Sequence, residues 1–215
     1  DDGTALNSGT KIEPICQELN VYLEDLNQWF KGRNLSISAE KSSATLFTTA
    51  RYECNIELPI YLNGEKVPSV KQPKILGVIF DNLFSFNHHT KHIKEKLQKR
   101  NNLLKALTGT SWGKEKEVIT DTYKALGQSV LNYGCPIWSP GLKDSNWRQL
   151  QTLQNSALRT ATGCVLMTPI HHLHTETKIL PVKEHCTMLS KQFLLTKHLP
   201  EHPNHWNLPP DYPDR

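Results

Sequence analysis

Apolar residues recur at spacings of three and four along residues 13–33, where Ile15, Leu19, Tyr22, Leu26 and Trp29/Phe30 share one side of a helix. Pro14 suits the first turn, because its missing N–H has no intrahelical partner there, and Gly32 is placed to end the helix. Residues 34–38 then read as extended, and residues 44–49 as a Thr- and Phe-containing strand. Residues 58–62 and a partner near Val67 flank Asn63-Gly64. That pair predicts a two-residue hairpin, since both turn positions need positive φ. Residues 74–80 form a largely apolar run of strand length. It predicts a strand buried on both faces, with Gly77 marking a bulge or the close approach of another backbone or ligand.

After about Phe86 the period changes to that of helices. One is expected over 88–107, with Ile93, Leu97, Leu104 and Leu107 on its stripe, and a second over 115–133, through Ile119, Tyr123, Leu126, Val130 and Tyr133. A third, over 144–162, carries Trp147, Leu150, Leu153, Ala157/Leu158 and Ala161; a fourth, over 183–198, carries Cys186, Leu189 and Phe193. The last 16 residues hold five of the 13 prolines, so residues 200–215 are expected to be irregular or disordered. No internal repeat is visible. The pattern predicts an α+β part over residues 1–86, with a helix on a small antiparallel sheet, followed by an all-helical part over 87–199.

Composition narrows this picture modestly. The chain has 215 residues, 37% of them apolar, with five Trp and six Phe as anchors. That is enough for a real core of one large or two small domains. A formal charge of +4 permits a nucleic-acid partner, and clustering decides. Five widely spaced cysteines without a CxxC favour reduced thiols, hence a cytoplasmic or nuclear setting. No stretch approaches the roughly 18 apolar residues of a membrane span, so no membrane partner is expected.

Three groups of residues carry chemistry. The adjacent carboxylates of Asp1-Asp2 are hard oxygen donors suited to Mg²⁺, which keeps positions free for substrate phosphates. Residues 88–107 hold Lys91, Lys94, Lys96, Lys99, Arg100 and Lys105 against one acid, Glu95. Such a run is either a solvated face or a surface that tracks a nucleic-acid backbone without reading bases. Without interleaved aromatics, duplex tracking fits better than single-strand stacking. His171, His172, His174 and His185 lie near Cys164 and Cys186, but with neither CxxC nor HxxxH spacing. Packing, or a loop after Pro169, is a stronger reading for them than zinc.

The order of these features is more specific than any one of them. An acidic pair precedes a long helix; then comes Leu35-x-Ile37-Ser38-x2-Lys41-Ser42, and then the string from Pro73 to Asp81, with Leu83, Phe86 and His89 behind it. Downstream follow the strings from Leu131 to Trp138, Leu150-Gln151-x2-Gln154-Asn155-x2-Leu158-Arg159-x2-Thr162-Gly163 and Leu180-Pro181-Val182. This series resembles the C-terminal half of a reverse transcriptase from a non-LTR, jockey-type retrotransposon, over residues 1 to about 199.

The resemblance implies the end of a right-hand polymerase palm and its thumb. Asp1 and Asp2 would match the end of the family's Tyr-x-Asp-Asp motif, with Asp1 the firmer ligand of catalytic Mg²⁺. Lys41 would match a lysine that neutralises or protonates the pyrophosphate leaving group, a task suited to an ammonium. Leu76, Gly77 and Val78 would match the primer grip, a close-packed hairpin that holds the primer end in line for attack. The implied partners are an RNA template, a DNA primer, deoxynucleoside triphosphates and an upstream fingers and palm segment. That segment carries the remaining catalytic aspartate, so the chain by itself is not expected to polymerise. A non-catalytic remnant that binds nucleic acid or protein would show the same fold, and stays open at this point.

Overall fold

The longest elements follow the apolar stripes. The computed structural model describes residues 3–108 and 115–198; Asp1, Asp2 and the Pro-rich tail lie outside the described residues. The described chain mixes helices with two small antiparallel ladders and is mostly helical. It divides into two compact units, one ending at Phe84 and the other beginning at Ser85.

In the first unit, α1 (Ile12–Lys31) is followed by Gly32 at its C-cap. Gly32 itself stays right-handed, at φ −63°. The left-handed residue is Asn34, at φ 57°, after which Leu35 N–H closes on the Phe30 carbonyl at 3.0 Å. Asn is among the few residues that tolerate this conformation. The inner face of α1 packs Cys16, Leu19 and Leu23 on Leu58, Ile60, Leu62, Val67 and Ala39. Asn20 stitches the same contact with polar groups. Its Nδ2–H donates to the Pro59 carbonyl at 2.8 Å, and its Oδ1 accepts from the Tyr61 N–H at 2.9 Å.

The Asn63-Gly64 hairpin forms as expected. β1 (Tyr61–Leu62) pairs with β2 (Glu65–Lys66), with Asn63 at φ 55° and Gly64 at φ 81° in the turn. The single buried strand expected over 74–80 does not form. β3 (Lys74–Ile75) folds back on β4 (Val78–Ile79), with Lys74 opposite Ile79 and Ile75 opposite Val78. Leu76 at φ 45° and Gly77 at φ 83° make the turn, and Leu76 is 81% exposed at the tip. Gly77 is therefore the second residue of a tight hairpin turn, where its freedom at positive φ is required.

The strand expected over 44–49 reduces to one parallel bridge between Ala44 and Ser69. Side chains there bond in place of a ladder: Thr45 Oγ1–H donates to the Val70 carbonyl at 2.7 Å, and Thr48 Oγ1–H to Glu53 Oε2 at 2.7 Å. Phe47 stacks on Phe84 with ring centroids 4.7 Å apart, and Asn82 Nδ2–H donates to the Leu46 carbonyl at 2.8 Å.

The second unit starts with α2 (Asn87–Leu107), whose Ile93, Leu97 and Leu104 are buried while Leu107 sits at the exposed end. Residues 116–132 are helical throughout but not uniformly α. α3 (Lys116–Tyr123) passes into a π turn (Lys124–Gln128) and then α4 (Ser129–Asn132). The wider turn shifts the buried stripe by one residue. Ile119 and Tyr123 are buried as expected, but Gly127 and Leu131 follow them in place of Leu126 and Val130, and Tyr133 is 58% exposed.

Gly127 lies against the Tyr123 ring, and a Cβ there would fall 2.5 Å from a ring carbon. Two effects compete in Gly127→Ala. Helix propensity favours alanine by roughly 0.5–1 kcal/mol, whereas overpacking a buried ring costs about 1–3 kcal/mol. The ring is buried, so any shift disturbs its packing, and the variant is expected to unfold at lower temperature in a calorimetric scan. A rise in melting temperature would mean that propensity wins.

α5 (Cys135–Trp138) follows a left-handed Gly134, and α6 (Asp144–Thr162) ends at a left-handed Gly163. After Pro169, where packing or a loop was expected, the chain forms a helix, α7 (Ile170–Thr177), and α8 (Val182–His198) closes the described chain. The core joins Leu104, Ile119, Tyr123, Ala157, Leu158, Ala161, Leu173 and Ile179. Trp138 lies between Trp147 and His89, with ring centroids 6.0 and 5.9 Å away.

A polar hub on α6 fixes the last two helices. Gln151 Oε1 accepts from the Val182 N–H at 2.8 Å, at the start of α8. Its Nε2 lies 2.9 Å from Gln154 Oε1, 2.8 Å from Asn155 Oδ1 and 3.1 Å from His174 Nε2. His174 Nδ1 is 2.8 Å from the Ile179 carbonyl, which can only accept, so Nδ1–H donates there. Gln154 Nε2–H donates to the Leu180 carbonyl at 3.1 Å. The Gln-x2-Gln-Asn string thus works as a clamp on the 174–182 segment.

Candidate nucleic-acid interface

Lys41 ends a tight turn between α1 and the β1–β2 hairpin. Its backbone N–H donates to Ser38 Oγ at 3.4 Å, Ser42 N–H donates to the Ala39 carbonyl at 3.1 Å, and Ser42 Oγ–H donates to the Ser38 carbonyl at 2.7 Å. Ala39 is buried in the α1–hairpin core, which seats the turn and leaves Lys41 exposed. In the same unit the β3–β4 tip presents Leu76 to solvent while Val78 is buried at its base. Asp1 and Asp2 lie outside the described residues. Among the described residues, no three His, Cys, Asp or Glu side chains converge to hold a metal ion.

In the second unit the basic residues of α2 separate into two kinds. Lys91, Lys96, Lys99 and Lys105 are exposed. At about 100° per residue, Lys91, Lys99 and Lys105 fall within an arc of about 120°, along about 21 Å of helix, with Glu95 inside it. Among the described residues, these three enter none of the salt bridges. Lys94 and Arg100 face the rest of the unit instead. Lys94 Nζ donates to Gln149 Oε1 at 2.6 Å. Arg100 donates to the Leu126 carbonyl in the π turn, and its Nη1 lies 3.4 Å from Ser129 Oγ. A π turn displaces carbonyls from the regular i→i+4 ladder, and Arg100 supplies a donor to one of them.

Arg100→Ala removes that charge-assisted bond, for which a loss of about 1.5–3 kcal/mol is expected. Chemical denaturation measures it. An unchanged midpoint would show that water replaces the guanidinium at no cost.

His89, two residues before Lys91, is buried, and its imidazole is pushed down to about 4. Burial is the main cause, followed by the like charges of His92 and Lys96. The ring is therefore neutral at neutral pH, and it adds no charge to the helix. His185, also lowered by burial, bonds Asn132 Oδ1 through Nε2 at 2.8 Å. His174 belongs to the Gln151 hub.

Pattern reading missed the asparagines of the first unit, because their bonds join residues far apart in sequence. Asn63 showed itself only as a turn residue. Asn20 and Asn27 gave one signal, as polar residues on the inner side of an otherwise apolar stripe.

This chain is similar to RNA-directed DNA polymerases of mobile elements over most of its length. It is 27% identical over 171 residues to the probable RNA-directed DNA polymerase from transposon X-element of Drosophila melanogaster, a match covering 78% of this chain and 18% of that protein. It is 27% identical over 184 residues to the probable RNA-directed DNA polymerase from transposon BS of the same species, covering 86% and 20%. To the RNA-directed DNA polymerase from mobile element jockey of Drosophila funebris it is 24% identical over 208 residues, covering 95% and 22%. The chain thus spans about a fifth of the length of these curated relatives. The resemblance read from the order of its motifs is borne out. No family model and no solved structure matches the chain. No described helix is long and apolar enough to cross a membrane.

Proposed function

We propose that this chain is a segment of a retrotransposon's RNA-directed DNA polymerase, made of the end of the palm over residues 1–86 and a thumb-like helical part over 87–199. The observation that carries this reading is the similarity to three polymerases of mobile elements over 78–95% of the chain. The basic face of α2 supports it with a surface suited to a duplex backbone.

In this reading the substrates are an RNA template paired to a DNA primer, and deoxynucleoside triphosphates. Lys91, Lys99 and Lys105 contact phosphates of the hybrid, which fixes its position without reading its sequence. The β3–β4 tip, Leu76-Gly77, with Val78 behind it, lies against the primer end. The primer 3′-hydroxyl gives its proton to solvent as its oxygen attacks the α-phosphorus of the incoming nucleotide, and the bond to the pyrophosphate oxygen breaks. Lys41 offers that oxygen a positive charge and a proton. Paired carboxylates suit Mg²⁺, so Asp1 and Asp2 would hold it. The ion, when bound, supplies Lewis-acid stabilisation of the transferring phosphoryl group.

The test is RNA-templated primer extension by the longer polypeptide that carries this sequence. Complementary DNA is the expected product. A polypeptide that binds the primed RNA and extends nothing would overturn the enzyme reading and leave a non-catalytic binding module.

A further inference from the structure

The turn that carries Lys41 is tied to α1 through side-chain amides. Asn27, on the inner face of α1, is 6% exposed, and its Nδ2–H donates to Asn63 Oδ1. Asn63 Nδ2–H donates in turn to the Ile37 carbonyl at 3.3 Å. Ile37 directly precedes Ser38, whose Oγ and carbonyl hold Lys41 N–H and Ser42 Oγ–H. Ala39, within the turn, is buried in the same core as the hairpin residues Leu62 and Val67.

We infer that Asn63 is a positioning residue for Lys41: it fixes the entry to the lysine turn by donating to the Ile37 carbonyl, while α1 fixes Asn63 through Asn27. The inference rests on the role of Lys41 proposed above and extends it to a residue that makes no contact with substrate. The hairpin turn favours asparagine but does not require it: its φ of 55° is one that glycine also adopts, and a Gly-Gly turn can close a two-residue hairpin. What glycine lacks is the amide that spans from the hairpin tip to the Ile37 carbonyl, 26 residues away in sequence. Lys41 is exposed on a flexible four-carbon stem, so the placement of its backbone is the lever by which the fold controls its ammonium.

The experiment measures single-turnover incorporation of one nucleotide by the longer polypeptide, with Lys41→Ala, Asn63→Gly, Asn63→Asp and the Lys41→Ala/Asn63→Gly double variant. Lys41→Ala should slow the chemical step about a hundredfold or more, the range for a lost general acid. Asn63→Gly keeps the turn and removes the amide; it should slow the same step about tenfold, as misplacement of a catalytic group does. Nucleotide affinity should hardly change; the melting temperature of Asn63→Gly should fall, because the buried Asn27 Nδ2–H loses its acceptor, so rates are compared well below it. Asn63→Asp tolerates the turn and still accepts from Asn27, yet cannot donate to Ile37 and sets a carboxylate oxygen against that carbonyl, so it should be at least as slow as Asn63→Gly. With Lys41 already removed, Asn63→Gly should slow nothing further, because both changes act on one interaction. Full additivity, or an unaltered rate in both Asn63 variants, overturns the positioning role and leaves that of Lys41 standing. An unaltered rate in Lys41→Ala overturns the role of Lys41 itself, and the inference with it.

Discussion

Replacing Lys91, Lys99 and Lys105 together with alanine is expected to flatten the salt dependence of binding to an RNA–DNA hybrid and to weaken binding at low salt. All three are exposed on one side of α2 and outside every salt bridge among the described residues. Each phosphate contact on B-DNA contributes about −0.9 to the slope of log K against log salt, and three contacts about −2.7. A fourfold rise in salt should then weaken binding about fortyfold through these residues alone, if a hybrid behaves like B-DNA. The triple variant should lose that component equally for unrelated sequences, since phosphate contacts carry no base information. Folding should survive, because the buried stripe of Ile93, Leu97 and Leu104 is untouched. Arg100→Ala is the opposite case on the same helix: it should lower stability and leave the salt slope of the folded protein in place. If the triple variant binds with the original slope, the basic side of α2 is only solvated surface.

How far the sequence could be read depended on the range of the interaction involved. Local signals were legible. The 3.6-residue stripe located α1, α2 and α6 closely, and Asn63-Gly64 located its hairpin, because only a few residues tolerate positive φ at both turn positions. The second hairpin, implied by the resemblance, was hidden from the pattern by Leu76, an apolar residue at φ 45° inside an apolar run, where only Gly77 hinted at a turn. Residues 115–133 were read as one stripe. The π turn moved the buried positions to Gly127 and Leu131, and a glycine in mid-helix was the single sign of it.

The candidate site divides along the same line. The exposed lysines of α2 stand where composition and helical spacing put them. Arg100 was grouped with them by charge alone, and its bond to the Leu126 carbonyl depends on a turn formed 26 residues away. The amide bonds from Asn27 to Asn63, and from Asn63 to Ile37, join residues 36 and 26 apart, beyond any local period. Gln151 and Gln154 were noted as part of a motif; their work, bonding Val182 N–H and the Leu180 carbonyl, appears only once α8 is packed.

The central proposal is that this chain belongs to the catalytic body of an RNA-directed DNA polymerase, with Asp1 as a metal-binding carboxylate. The most direct test compares RNA-templated primer extension in Mg²⁺ by the longer polypeptide with Asp1 intact and with Asp1→Ala. Removing a ligand of the ion that stabilises the transferring phosphoryl group takes away an electrostatic contribution on the order of a hundred- to a thousandfold in rate, and loss of the ion itself takes away more. The expected result is complementary DNA from the unaltered protein and a rate lower by about a thousandfold or more in Asp1→Ala, with primed-template binding retained through α2. Extension by Asp1→Ala at the unaltered rate would contradict the account.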